Sequence, residues 1–149
     1  MDLEEFDALA EALRQKSAAS VAKYGFALIE GRTATADEIT AVELRMGVIL
    51  PSKYKAFMRN YGGGMFGFVD LLPVIAEPGD DDLLAVNDRE FSDRGFVAVA
   101  PVGTGDYWGF PVAGGRCHDE VWFRFHDAGE PEVVADDFLE FAAIRGLRS

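Results

Sequence analysis

The sequence predicts one α+β domain, in which an antiparallel or mixed sheet, built as a meander of strands, is flanked by helices. The chain has 149 residues, a length typical of one domain. Helical patterns fill residues 36–61, strand patterns dominate residues 96–135, and a last helical segment follows. Grouped elements, in place of regular alternation, are typical of α+β proteins with antiparallel sheets. No linker divides the chain, so we expect a single domain over residues 1–149.

The first segment predicts an amphipathic helix. Leu3, Phe6, Leu9 and Leu13 recur at helical spacing, and we expect the helix to end near Ser17. Residues 18–34 leave two alternatives open, because 26–29 suits either a short strand or a continuation of the helix. Residues 1–34 are therefore treated as an N-terminal helical extension of the domain.

Two short helices are predicted next, over about 36–46 and 52–61, and each has recognisable ends. Thr35 and Glu38 have the spacing of a capping box, and Gly47 is expected to end the first helix. Pro51 suits the start of the second helix, because proline there loses no needed N–H. The run Gly62–Gly64 is expected to stop that helix. The apolar stripes are Ile39, Val42, Met46, Tyr54, Phe57, Met58 and Tyr61.

The segment after Gly64 predicts one or two short strands over 66–72, limited by Pro73. An acidic turn at 77–82 follows. Residues 83–91 then predict a short helix, with Asp80 or Asp81 near its N-cap.

The main sheet is predicted from four strands at 96–100, 107–112, 119–125 and 132–135, with a hairpin turn at 113–116 and a further turn at 128–131. Alternation along the second strand puts Tyr107 on the face opposite Trp108. In the third strand Trp122 and Arg124 share a face. Asp136 or Asp137 is expected to cap a final helix over about 137–145, which carries Phe138, Leu139, Phe141 and Ala142.

The chain is strongly acidic, with a formal net charge of −12. This charge argues against nucleic acid and anionic membranes as partners, since both repel an acidic surface. It favours a basic protein partner or simply high solubility, and these alternatives stay open. Cys117 is the one cysteine, so no internal disulfide forms. With no signal peptide and no apolar run of about 20 residues, a cytoplasmic location is expected.

No reaction chemistry is predicted, and we expect no catalytic residue, cofactor or metal. His118 and His126 lie at opposite ends of one predicted strand, about 27 Å apart at about 3.4 Å per residue, so one metal cannot join them. The three aspartates at 80–82 lack the alternating spacing of a calcium loop. Gly62–Gly64 follows a helix and therefore does not form a phosphate loop. Asp106, in a Gly-flanked turn, is interpreted as a local hydrogen-bond acceptor.

The order of these motifs resembles the SUKH superfamily, also called Smi/Knr-like proteins. The resemblance spans about residues 35–142 and is carried by Ile39, Glu43, Gly47, Leu50, Pro51, Tyr54, Gly62, Gly63, Gly105, Asp106, His126, Asp137 and Phe138. Three residues depart from the usual pattern: Met46 replaces Leu, Gly62 replaces Asn and Asp137 replaces Ser. Each departure keeps the packing or capping property of the usual residue.

The resemblance implies a protein-binding function without enzymatic activity. Most bacterial members look like immunity proteins that neutralise a cognate polymorphic toxin, often a nuclease, whereas fungal relatives act as regulatory scaffolds. Immunity against a basic toxin is the leading hypothesis, and a scaffold module is the alternative. The oligomeric state stays open. The candidate partner-binding residues are Glu77, Asp80, Asp81, Asp82, Tyr107, Asp119, Glu120 and Trp122.

Within that set the two aromatic residues have alternative roles. If one face of the sheet is open, Tyr107 and Trp122 are interface anchors, a role in which such residues are enriched. If helices cover both faces, they belong to the core.

Overall fold

Helices and strands follow the predicted order in a computed structural model, which describes residues 1–127 and 129–148. The α-helices there are α1 (Leu3–Tyr24), α2 (Ala36–Met46), α3 (Ser52–Asn60), α4 (Leu83–Glu90) and α5 (Phe138–Ala142), and α5 continues into a π-helical turn, Ala143–Leu147. The strands are β1 (Gly64–Phe66), β2 (Val69–Leu71), β3 (Phe96–Pro101), β4 (Tyr107–Ala113), β5 (Arg116–Cys117), β6 (Val121–Arg124) and β7 (Glu132–Ala135). The predicted α+β class is confirmed.

The main sheet has the strand order β3-β4-β6-β7, and β5 pairs with the end of β4. All of these pairings are antiparallel. The predicted hairpin at 113–116 is confirmed, because Ala113 pairs with Arg116. An isolated bridge between Ile49 and Arg116 is parallel. Ala128, the first residue of the predicted turn at 128–131, lies outside the described residues. β1 and β2 form a separate small hairpin.

Aromatic side chains join α1, α3 and α5 to one face of the main sheet. Tyr54 of α3 packs edge-on against Phe110 of β4 and Phe138 of α5. Phe57, one turn along α3, has its ring centroid 5.7 Å from that of Phe6 of α1 and 5.1 Å from that of Phe138. All five side chains are fully buried. The segment 1–34 therefore contributes to the same core as the residues that follow it.

Helix α1 extends seven residues beyond the predicted end at Ser17, to Tyr24. The helix ends instead at Gly25, which has φ 80°. The Ser17 hydroxyl accepts hydrogen bonds from the returning chain, from the backbone N–H groups of Leu28 at 2.9 Å and Ile29 at 3.3 Å. Ile29 then forms an antiparallel bridge with Phe66 of β1. Of the two alternatives for 26–29, the extended one is therefore closer to the structure. α1 is the longest described helix, yet no helix in the described residues is both long and apolar enough to span a membrane.

Helix α4 lies against the edge of β3 that faces away from β4, and a buried polar side chain holds it there. The Asn87 amide donates to the carbonyl of Ala98 at 2.9 Å and accepts from its N–H at 2.8 Å. The same amide also donates to the carbonyl of Leu83. Covering an edge strand in this way satisfies backbone groups that would otherwise be unpaired.

Candidate functional site

Tyr107 and Trp122 lie on the same face of the main sheet. Trp122 pairs with Gly109, two residues along β4 from Tyr107, so both side chains point the same way. Trp108 points to the opposite face, where its ring centroid lies 5.5 Å from that of Phe141 of α5. We call the Tyr107 side the outer face. The predicted division of Tyr107 and Trp108 between the two faces is thus confirmed.

The outer face is covered beside Tyr107 and, over Gly109, by the buried ring of Phe96. Phe91, at the end of α4, packs against Tyr107, and the two ring centroids are 5.6 Å apart. The Arg124 guanidinium lies 5.5 Å from the Phe91 ring centroid and extends the cover. At the other end, Val133 pairs with Trp122 and remains 51% exposed. Tyr107 and Trp122 are both half-buried, so neither is a core residue and each keeps part of its surface accessible.

The indole of Trp122 carries an unpartnered donor. Its Nε1 is buried and has no hydrogen-bond acceptor among the described residues. Buried polar atoms are nearly always hydrogen-bonded, so each exception calls for an explanation.

The acidic segment 77–82 is largely engaged by its own neighbours. Asp82 caps α4, accepting from the Ala85 N–H at 2.8 Å, and Asp80 and Asp81, predicted near the N-cap, directly precede it. Asp82 directly precedes the first helical residue, which is where a side chain reaches the third helical N–H. Asp81 pairs with Arg89 at 3.1 Å. Asp80 lies 3.8 Å from the Arg32 guanidinium. The segment is thus less negative toward solvent than its composition suggests.

Asp119 and Glu120 lie elsewhere, in the loop that leads into β6. Asp119 lines a hollow together with Lys55 of α3 and His118. The pKa of Lys53 is raised mainly by its hydrogen bond to Asp137, and the negative charge of Asp119 adds a smaller effect. The eight predicted partner-binding residues therefore fall into three places: the loop before α4, the loop before β6, and the outer face.

Asp106 and His126 join the β3–β4 loop to the end of β6. One Asp106 oxygen accepts from the His126 backbone N–H at 2.8 Å and lies 2.6 Å from its Nδ1. The other oxygen accepts from the Thr104 hydroxyl at 2.8 Å. The carboxylate stands between hydroxyl and imidazole, whereas nucleophilic catalysis needs the imidazole next to the hydroxyl. The arrangement suits a structural tie.

Metal-binding and thiol chemistry find little support in the described residues. They contain no group of three or more His, Cys, Asp or Glu side chains placed to hold a metal ion. Cys117 is buried, and burial, with a smaller effect from Glu43, raises the pKa of its thiol to about 12. Since the thiolate is the reactive form, this thiol is held unreactive.

Comparison with known families gives a match over most of the chain. The family model described as SMI1-KNR4 cell-wall, a SUKH family, matches residues 36–141, about seven-tenths of the chain. The chain belongs to the SMI1-KNR4 family. The predicted SUKH resemblance is confirmed. No curated protein matches the chain.

The SMI1-KNR4 motif residues have visible structural roles, and Glu43 is a clear example. Its carboxylate accepts from the Leu50 N–H at 2.8 Å and from the Lys55 ammonium at 3.3 Å. It thereby fixes the link between α2 and α3, where Pro51 is the N-cap of α3. Four further motif residues, Ile39, Leu50, Tyr54 and Phe138, are buried in the core.

Asp137 is the second polar motif residue with several partners. Of the two predicted caps, the structure selects this one: it accepts from the Glu140 N–H at 2.8 Å. It also accepts from the Lys53 ammonium at 3.0 Å and from the Met1 ammonium at 2.9 Å. Burial alone would raise the pKa of Asp137, but these three donors together lower it. The carboxylate thus ties α5 to α3 and to the start of α1.

Sequence reasoning missed four residues that define the outer face and its cover: Asn87, Phe91, Arg124 and Val133. For Arg124 a signal was present, because strand alternation already placed it beside Trp122. For the others the decisive contacts join different elements and leave no local pattern.

Proposed function

We propose that this SMI1-KNR4 family member is a bacterial immunity protein that binds and neutralises a cognate polymorphic toxin by direct contact. The partner is a basic domain, as expected of a nuclease that must itself bind phosphates. In this proposal the protein acts in the cytoplasm, needs no cofactor and catalyses no reaction.

The observation that carries the proposal is the open end of the outer face. Trp122 offers a half-buried ring and an unpartnered N–H, and Val133 beside it is 51% exposed. Large aromatic side chains next to apolar area dominate the energy of protein interfaces. We expect a partner side chain or carbonyl to accept from the Trp122 Nε1 while its apolar part covers Val133. Tyr107 lies on the same face, with its ring centroid 5.6 Å from that of Phe91.

Charge supplies the second part of the proposal. The chain has 26 acidic and 14 basic residues, so a basic partner is attracted from a distance. Glu77, Asp119 and Glu120 take part in none of the ion pairs found in the described residues, which leaves their charge available. Complementary charge at the rim mainly raises the association rate, whereas buried anchors set the dissociation rate.

The decisive experiment uses the protein encoded by the reading frame next to the gene for this chain. Its C-terminal domain is expressed alone and together with this chain, and growth is compared. Immunity predicts arrest by the domain alone and recovery on co-expression. Binding is then measured by calorimetry with a catalytically inactive form of the domain, and we expect Trp122→Ala to raise the Kd by at least about tenfold.

The matched control is Leu44→Ala, which removes an apolar side chain that is 79% exposed on α2. It should leave both growth and Kd unchanged. If the neighbouring domain binds but growth does not recover, the scaffold alternative is favoured. If the domain does not bind at all, the proposed partner is wrong.

A further inference from the structure

An apolar groove of about 250 Å³ lies between α1 and the tip of the β1–β2 hairpin. Leu9 and Leu13 line its α1 side, and Phe68 and Leu147 line the opposite side. Phe68 is 66% exposed and Leu9 is 42% exposed. Clustered apolar exposure of this kind marks an interaction surface more often than scattered residues do. The groove is formed by elements other than the strands of the outer face.

The α1 side of the groove carries charge in a definite order. Glu5, Leu9, Leu13 and Lys16 follow one another at helical spacing, so they form a single stripe along the helix. Lys16 itself lines the groove. Neither Glu5 nor Lys16 takes part in an ion pair found in the described residues. The stripe therefore reads acid, apolar, apolar, base.

We propose that this stripe binds a second copy of the chain around a two-fold axis. When two α1 helices pack antiparallel, Glu5 of each copy faces Lys16 of the other, and the leucines meet between them. The ion pair forms twice, as an isologous contact requires. The exposed Phe68 ring extends the contact beside α1. This inference does not depend on the proposed immunity function.

The order of the charges selects a second copy over an unrelated protein. Any partner must complement the stripe, but a stripe that is acidic at one end and basic at the other complements itself. Outside this stripe the chain is strongly acidic, so two copies repel unless opposite charges meet locally. Glu5 and Lys16 supply that local attraction.

The test measures self-association by sedimentation velocity from about 5 to 500 µM, a range that brackets a modest dimer. The wild-type chain should dimerise with rising concentration. Glu5→Lys and Lys16→Glu each place like charges across the axis, and each should raise the dimer dissociation constant at least about tenfold. An equimolar mixture of the two variants should dimerise again, because every pair in the mixed dimer is then opposite in sign. A single chain that carries both Glu5→Lys and Lys16→Glu should also dimerise, because opposite charges again face each other across the axis.

Two further variants separate the groove from general surface effects. Phe68→Ser should weaken the dimer, whereas Leu44→Ser, which changes another exposed apolar residue, should not. Thermal unfolding of each variant checks that the fold is kept. A wild-type chain that stays monomeric at every concentration would overturn the proposal and leave the groove to a different protein. Failure of the mixed variants to dimerise would overturn the two-fold arrangement.

Discussion

Asp106 receives both the backbone N–H and the ring nitrogen of His126, at 2.8 and 2.6 Å. The hydrogen bond from the His126 side chain is the main cause that lowers the pKa of Asp106. The same bond is the main cause that raises the pKa of His126 above 6.5. The pair therefore fastens the β3–β4 loop to the end of β6 most strongly when both groups are charged.

Stability should depend on pH through this pair. The contribution of His126 is full below 6.5 and is lost as the pH rises through its raised folded pKa. The contribution of Asp106 is present above 3.8 and is lost as the pH falls through its lowered folded pKa. An NMR titration of the His126 ring should give a midpoint above 6.5, and Asp106→Asn should move that midpoint back toward 6.5.

The control for this titration is Asp127→Asn, because Asp127 has only a smaller charge effect on His126. It should shift the midpoint less than Asp106→Asn does. A wild-type midpoint at or below 6.5 would contradict the pair.

Replacing Asn87 should strongly destabilise the protein. Asn87→Ala leaves the buried N–H and C=O of Ala98 without partners, and we expect the free energy of unfolding to fall by about 2–4 kcal/mol. Urea unfolding measures this. The matched control is Asn60→Ala, since Asn60 is exposed and its amide donates only to the carbonyl of Ala56. A loss of equal size in both variants would show that α4 is not held through Asn87.

Gly62 should tolerate alanine far less well than Gly47. Both residues have positive φ, at 80° and 70°, so both variants carry the same backbone strain, about 1–2 kcal/mol. A Cβ at Gly62 would lie 2.3 Å from the backbone carbon of Arg32, whereas nothing lies within 4 Å of one at Gly47. We expect Gly62→Ala to lose about 1–3 kcal/mol more than Gly47→Ala in chemical unfolding. Equal losses would mean that the chain at Arg32 moves aside freely.

The roles of the three consecutive aspartates should separate in stability measurements. Asp82→Ala removes the N-cap of α4 and should cost about 1 kcal/mol. Asp80→Ala removes only a long, exposed pairing with Arg32 and should cost about 0–0.5 kcal/mol. Thermal unfolding of the two variants makes the comparison. If Asp80→Ala proves the more damaging, the assignment of the cap is wrong.

Association with the proposed toxin domain should respond to charge without loss of the fold. Reversal of Glu77, Asp80 and Asp81 to Lys keeps the Asp82 cap and should slow association with the proposed basic toxin domain. Added salt should also slow association, because at physiological ionic strength it screens the electric field beyond about 8 Å. Stopped-flow binding measures the rate. The control reverses Glu4 and Glu11 of α1 and Asp37 of α2, three exposed acidic residues, with the same change in net charge. A rate unaffected by the loop reversal and by salt would contradict electrostatic steering by this loop.

Local patterns predicted most of the secondary structure correctly. Thr35 and Glu38 form the expected capping box, and Gly47 ends α2 as predicted. Such signals work because a cap depends on residues only three or four positions away. The end of α1 was predicted too early, although a local cap marks it: Gly25 has φ 80°, and its N–H donates to the carbonyls of Ser20 and Val21. The role of Ser17 could not be predicted, because the N–H of Leu28 reaches its hydroxyl only after the chain has turned back.

The candidate site also has one part that the sequence predicts and one part that only the packing of the fold decides. Strand alternation alone places Trp122 and Arg124 on one face of β6, since side chains alternate wherever a strand forms. How open that face is depends on where α4 lies, and α4 is positioned by the bonds between Asn87 and Ala98. Those contacts form only when elements from different parts of the chain pack together. The order of the elements and their caps thus follows from neighbouring residues, whereas the half-buried state of Tyr107 and Trp122 follows from packing across the whole fold.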